Sequence, residues 1–433
     1  MKTILLLQID LKFKMDHTIQ NYLDKRPFIR PLSTVTPSED LKMIVVIPAF
    51  REDQLFEALE SLMNASPLDY RVEIIPVLNY PDNSDGLDQE FHSQQYEELV
   101  GKYGHQIKGK IVVLPILPIP LPEKSAGVGL VRQIGMNEAA RRFSLVGNSN
   151  GIIVNFDADC VCNPDYFKEI DAYYQSANAK PCLSIGFEHP LDHLNETSKS
   201  AIVDYELHLR YYIQAQKWIR YPFAYHTLGS CFAITVSEYC RQGGMNQRKA
   251  GEDFYFMHKF SIHEQLGEIK KPLVYPSSRE SLRVPFGTGK AITDYLHQGI
   301  QKSYALNAIL EFGDLFNSAN EYLNLSELDM ELYWISKSQA AWECIKRQGV
   351  VSEILQLKKN TSDNKSLVDR YQKWLNPFRL MKFLHELRDL SYPDLEVGQC
   401  ARELLVLKGM DISTIQSNEE LLKVFRKLDY GIH

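Results

Sequence analysis

The chain has 433 residues, enough for two or more domains with cores of their own. Its formal net charge of -7 excludes a general nucleic-acid binder, which needs a basic excess, though local basic clusters can still hold a diphosphate. Seven scattered cysteines without a paired zinc spacing point to free thiols in a reducing cytoplasm.

No apolar run approaches the roughly 20 residues of a spanning helix, so the expectation is a protein without a transmembrane segment, cytoplasmic or resting peripherally on a membrane. The apolar stretch at residues 4–7 is too short for a signal-peptide core, and Met15 is an alternative start.

Residues 1–40 lack firm periodicity and read as an N-terminal arm. Met43, Ile44, Val45, Val46 and Ile47, closed by Pro48, form an unbroken apolar run of the kind a buried strand requires. Leu55, Leu59, Leu62 and Met63 follow at helical spacing. A second buried strand spans 72–78 and ends at Asn79 in an acidic, turn-rich stretch; a polar helix spans 87–103. A third strand at 110–114 leads into a proline-rich loop at 115–122, then a helix over 128–143 and a fourth strand over 151–156. Pro164 opens a further helix, because proline suits a first helical position.

Strands alternating with helices predict an α/β domain over 41–290, its mostly parallel central sheet covered by helices on both faces. From 291 to 433 the pattern turns to Leu, Lys and Glu at helical spacing, for example over 371–387 and 418–428, and predicts a mainly helical C-terminal region. The stretch 204–220, with Tyr205, Leu209, Tyr212 and Trp218, reads either as an aromatic acceptor wall or as a packed amphipathic helix, and the second is favoured.

Ligands of open α/β sheets bind beyond the carboxyl ends of the strands. Four polar clusters fall at that edge: Pro48 to Glu52, Asn79 with its turn, Glu123 to Gly129 with Arg132, and Asp157-Ala158-Asp159. A bare D-x-D is more often a pair of helix caps than a site. Here a buried strand delivers it among three other polar clusters, and alternation puts both carboxylates on one side. Such a pair suits a divalent cation, Mg²⁺ or Mn²⁺, shared with a substrate diphosphate.

Downstream, Glu252 and Asp253 follow a glycine-containing turn and open a helix over 254–265, where Asp253 can serve as a general base with Glu252 beside it. Lys124, Arg132, Arg279 and Arg283 are cations able to contact phosphate. His226 and Thr227 either line the pocket, with His226 also a candidate metal ligand, or pack as ordinary hydrogen-bonded residues; His258 reads as structural. Gly127-x-Gly129 and Gly287-x-Gly289 are too short to be phosphate loops on their own.

At these residues the chain resembles the inverting glycosyltransferases of family 2, which have the GT-A fold. The matching elements are Ile47-Pro48-Ala49-Phe50-Arg51-Glu52, Asn155-Phe156-Asp157-Ala158-Asp159, Gly243-Gly244-Met245-Asn246 and Gly251-Glu252-Asp253, in the family's order. It is also similar to a bacterial subgroup carrying Tyr225 to Ser230 and Val284 to Gly289. The resemblance covers roughly residues 41–290.

It implies that Pro48, Phe50 and Glu52 border the base and ribose, with Asn79 at the base. Asp157 would face the ribose or diphosphate, Asp159 the metal, and Asp253 would act as catalytic base. The implied partners are a nucleotide-diphosphate sugar donor and a hydroxyl acceptor, saccharide or glycolipid, with inversion at the sugar. A retaining transferase, a sugar-1-phosphate nucleotidyltransferase of related fold and a silent nucleotide-binding scaffold stay open as alternatives.

Overall fold

Residues 43–47 are fully buried in the middle of β1 (Leu41–Ala49), the strand on which the sheet is organised. In the computed structural model the described residues are 17–26, 30–84, 86–104, 107–249, 251–279 and 288–432. They divide into two compact units. One holds the chain up to Pro190 together with Thr227–Ser277; the other holds Leu191–His226 together with Ser278–His433.

In the first unit β1 is followed by β2 (Arg71–Pro81), β3 (Ile107–Lys108), β4 (Ile111–Val113) and β5 (Ile119–Leu121). Then come β6 (Ile152–Asn155), β7 (Cys160–Cys162), β8 (Cys182–Phe187), β9 (Phe232–Thr235) and β10 (Leu266–Pro276). Their order across the sheet is β3-β4-β2-β1-β6-β9-β8-β10-β7, with β5 paired to the end of β2. The strands β4, β2, β1 and β6 are parallel neighbours, as the alternating sequence pattern predicts. Beyond β6 the sheet is mixed: β9 runs antiparallel to both β6 and β8, while β10 is parallel to β8.

Register fixes what reaches the carboxyl edge. Ala49 pairs with Leu78, and Val46 with Asn155. The residues next in the chain, Phe50, Asn79 and the segment from Phe156 to Asp159, therefore emerge from three adjacent parallel strands. The helix Val128–Leu145 packs across β1 and β2, and it comes close because Gly135 has no Cβ: one added there would strike Val46 and Val77.

Local departures have local causes. The proline-rich loop contains β5, since prolines at alternate positions leave one edge free to pair, and Ile119 and Leu121 lie opposite Asn79 and Pro81. Pro164 stands before Asp165, the N-cap of the helix Tyr166–Gln175, rather than inside it. The helix expected over 254–265 is Glu252–Ser261, and both acids occupy its first turn. The arm carries a helix, His17–Asp24, docked through buried Ile19 and Tyr22. Farther along, Leu32 N–H donates to Glu138 Oε2 at 3.2 Å. Arg142 donates to the Val35 carbonyl at 2.9 Å while holding Glu73 at 2.5 and 2.7 Å.

The second unit is mainly helical and includes Leu191–His226, which the sequence pattern keeps within 41–290. The reason is the buried face of the helix Glu196–Trp218. Arg210 donates to Glu206 Oε1 and to Asp429 Oδ2, each at 2.7 Å, and Gln214 donates to Asp429 Oδ1 at 2.7 Å. Arg426 grips Glu206 at 2.7 and 2.8 Å. Asp429 and Arg426 belong to the helix Asn418–Tyr430, which starts with a capping box of Ser417 and Glu420.

The stretch 204–220 is thus largely packed. Leu207 and Tyr211 are fully buried, Tyr205 packs on Ala201 and Ile202, and the Tyr212 ring lies 5.5 Å from that of Tyr304. The periodicity over 371–387 is split in two, Asn364–Trp374 and Pro377–Leu390, because Asn376 caps the second helix ahead of Pro377 at its first position. Among the described residues no helix is long and apolar enough to cross a membrane.

Candidate active site

The chain turns sharply at the end of β1, with Arg51 at φ 46°. The Glu52 carboxylate folds back to accept the Gln54 N–H at 3.0 Å, and Gln95 donates to the Glu52 carbonyl at 2.9 Å. Asn79 ties the ends of β1 and β2 together, donating to the Ala49 carbonyl at 2.9 Å and to the Val77 carbonyl at 3.3 Å. Pro48 and Phe50 are half-buried beside them, while Glu52 and Asn79 are buried.

One partner here escapes the sequence reading. His92 is fully buried, accepts the Arg51 N–H at 3.3 Å, and has the rings of Phe50 and Tyr80 at 5.9 and 6.5 Å. Burial pushes its pKa down, so it stays neutral. The signal lies in the helix Leu87–Tyr103, where Asp88, His92, Gln95 and Leu99 recur at helical spacing and all face inward.

The acidic group at the end of β6 is organised by Arg132. This side chain, 3% exposed, donates to Glu252 Oε1 from one terminal nitrogen and to Asp157 Oδ1 from the other. Burial alone would lower its pKa, but Asp157, Glu252 and Asp253 together raise it, so the guanidinium is permanently charged. Space for it comes from Gly229, where any Cβ would meet the guanidinium. Gly129 has a comparable role one turn earlier: a Cβ there would meet the carbonyls of Asn246 and Arg248. The two glycines thus serve close packing.

Asp253 stands next to this cluster, half-buried, and accepts the Phe254 N–H at 2.7 Å. Burial and the neighbouring Glu252 raise its carboxyl from the ordinary value to about 7, against the opposing pull of Arg132 and the Phe254 N–H. A carboxyl with that value exchanges protons near neutrality, which is what a general base needs. Perturbed carboxyls of this kind, set among charged partners, favour functional sites.

Asp157 keeps 36% of its side chain exposed, and Asp159 is half-buried two residues on. Among the described residues no group of three or more His, Cys, Asp or Glu side chains is gathered to hold a metal. Two carboxylates still fit a cation of the Mg²⁺ type, which takes one or two protein carboxylates and completes its shell with phosphate and water. Burial, with Asp159 and Asp157 nearby, pushes the Cys160 thiol well above its usual range.

The remaining candidates are dispersed. Lys124 is exposed in the turn after β5, and Thr227 is half-buried in the first unit. Arg279 is a half-buried residue of the second unit, and Arg283 lies outside the described residues, as do residues 284–287. His226 also belongs to the second unit, where its Nε2 lies 3.0 Å from Asp429 Oδ2. His258 is buried within its helix, 3.3 Å from Ser261 Oγ, and burial lowers its pKa to about 3.

No protein-family model matches the chain, and no curated protein matches it in sequence. Solved structures do align with it. The crystal structure of S. aureus TarS 1–349 in complex with UDP-GlcNAc matches at 14% identity and a TM-score of 0.38, covering 86% of this chain and 93% of that one. TarS 1–349 without that ligand gives 13% identity, a TM-score of 0.35, and coverage of 90% and 92%. The mannosyltransferase PcManGT from Pyrobaculum calidifontis, in complex with GDP-Man and Mn²⁺, gives 12% identity, a TM-score of 0.32, and coverage of 95% and 94%. Likeness at this level assigns no activity to the chain.

Proposed function

We propose that this chain is a glycosyltransferase that moves a sugar from a nucleotide-diphosphate donor to an acceptor hydroxyl, with inversion. The observation that carries the reading is Asp253, a half-buried carboxyl raised to about 7 beside the Glu252–Arg132–Asp157 cluster at the end of β6. Asp253 takes the proton of the attacking hydroxyl. Glu252, engaged by Arg132, stays oriented and leaves Asp253 as the carboxyl able to accept a proton near neutrality.

Asp159 and Asp157 are the residues that would hold a divalent cation, Mg²⁺ or Mn²⁺, which when bound neutralises the departing diphosphate. Pro48, Phe50, Glu52 and Asn79 border the nucleotide, and Lys124 is a candidate for its phosphates. Arg132 orients the carboxylates beside the site, donating to Glu252 from one terminal nitrogen and to Asp157 from the other.

The test is a thermal-shift panel of nucleoside diphosphates and their sugars with and without Mg²⁺ or Mn²⁺, beginning with UDP-GlcNAc and GDP-mannose. At least one diphosphate at 100 times its Kd should stabilise the fold, by roughly 2.7 kcal/mol. A flat panel across all nucleotides would sink the reading.

A further inference from the structure

The segment that delivers Glu252 and Asp253 is gripped from two sides. It begins with Gly243 and Gly244, both in the left-handed region at φ 81° and 87°. On one side lies the helix Val128–Leu145. Gly129 meets the carbonyls of Asn246 and Arg248, and Gly127 faces Lys249 closely enough that a Cβ would crowd it. One turn on, Gln133 donates to the Met245 carbonyl at 2.6 Å and accepts from Gln247 Nε2 at 2.7 Å.

The other side is the N-terminal helix His17–Asp24 and the residues just after it. Arg26 donates to the Gly243 carbonyl at 2.8 Å and to the Tyr22 carbonyl at 3.2 Å, and its guanidinium lies 3.8 Å from the Tyr22 ring centroid. Tyr22 is 4% exposed and its hydroxyl donates to Asn137 Oδ1 at 2.6 Å. The same oxygen accepts from the Tyr239 hydroxyl at 2.8 Å. A Cβ on Gly244 would strike the Tyr22 hydroxyl. Gly129, Gln133 and Asn137 recur every fourth residue and so share one face of their helix. That face touches both the turn and the residue that seats the arm.

We propose that Tyr22 and Arg26 are positioning residues: the N-terminal helix braces the 243–249 turn and thereby holds Asp253 in its half-buried setting. The inference rests on the glycosyltransferase reading for its kinetic consequence only. Contact between arm and turn is geometric and stands apart from it. Since burial is the largest cause lifting the Asp253 carboxyl, a loosened turn lets water in and brings that carboxyl back toward the ordinary range.

The variants are Arg26→Ala, Arg26→Lys and Tyr22→Phe in the full chain, with two measurements. Hydrogen exchange of amides in 244–249 should quicken by about tenfold in Arg26→Ala and Tyr22→Phe, while the β1 and β6 amides keep wild-type protection. Turnover should fall by about tenfold at unchanged nucleotide Kd, and the acidic limb of the pH–rate profile should shift to lower pH, with Arg26→Lys restoring part of both.

Wild-type exchange in 244–249 in the Ala and Phe variants overturns the brace. So does a loss of protection spread evenly over the sheet, which marks simple destabilisation. An unshifted pH profile with full turnover removes the positioning role. If the wild type turns over no donor, the glycosyltransferase reading fails while the exchange measurement still decides the brace.

Discussion

Arg132 and Glu252 form an ion pair in which the side chains are only 3% and 2% exposed. Such a pair is worth little against an apolar replacement of both partners, but removing one partner leaves a buried charge without its counterion. Arg132→Met therefore costs about 3–5 kcal/mol in urea unfolding. Because Arg132 also holds the Asp253 carboxyl down, its loss moves the acidic limb of the pH–rate profile to higher pH. A folded Arg132→Met with the wild-type profile would contradict this coupling.

Asp253→Asn keeps the shape of the side chain and removes its proton affinity. Turnover should fall roughly 10²–10⁴-fold, with nucleotide affinity within about threefold of wild type. Wild-type turnover should rise with pH through about 7. Normal turnover by the Asn variant would end the base assignment.

The same carboxyl sets a stability trend of opposite sense. Its folded-state value lies above the unfolded one, so the protonated form favours the fold. That contribution is fully present below the ordinary carboxylate range and is lost as the pH rises toward about 7. Asp253→Asn should consequently melt above wild type at pH 8, with the difference closing by pH 4. A constant difference across that range would place its origin elsewhere.

Asp159→Asn should weaken metal binding, raising the Mg²⁺ or Mn²⁺ concentration that half-saturates donor turnover about tenfold or more. Nucleoside affinity measured without metal should not change. An unaltered metal titration removes Asp159 from the cation.

Two glycine substitutions separate packing from conformation. Gly129→Ala drives a methyl into the Asn246 and Arg248 carbonyls and should cost about 1–3 kcal/mol while also lowering turnover. Gly86→Ala meets open space, and only its φ of 82° opposes it, so about 1 kcal/mol is lost with turnover unchanged. Equal turnover in both variants would argue that the 243–249 turn is insensitive to its packing.

The parallel half of the sheet was readable because its strands are buried on both faces and appear as unbroken apolar runs, as at Met43 to Ile47. The other half was not. β10 carries Gly267, Lys270, Lys271 and Pro272 among its apolar residues, and Ser184 and Gly186 interrupt β8, so no unbroken apolar run marks either strand. The carboxylates of the site stood out as motif residues at strand and helix ends. Arg132 is a different case. Its spacing along a helix gives no sign that its charge turns inward to Asp157 and Glu252, because that pairing joins residues 25 and 120 positions apart. His92 was hidden in the same way, by a helix whose inward face is polar.

The helix Glu196–Trp218 leaves the first stretch of sheet and joins the helices that follow residue 278. Glu206 and Arg210 are therefore committed to partners more than 200 residues later, Arg426 and Asp429. No single cut yields the helical unit intact. A fragment beginning at 291 would lack the helix that Arg426 and Asp429 close upon, and one ending at 290 would leave Arg210 facing solvent along a stripe made for burial. Because synthesis runs from the N-terminus, that helix must wait for partners made more than 200 residues later before its charges are matched.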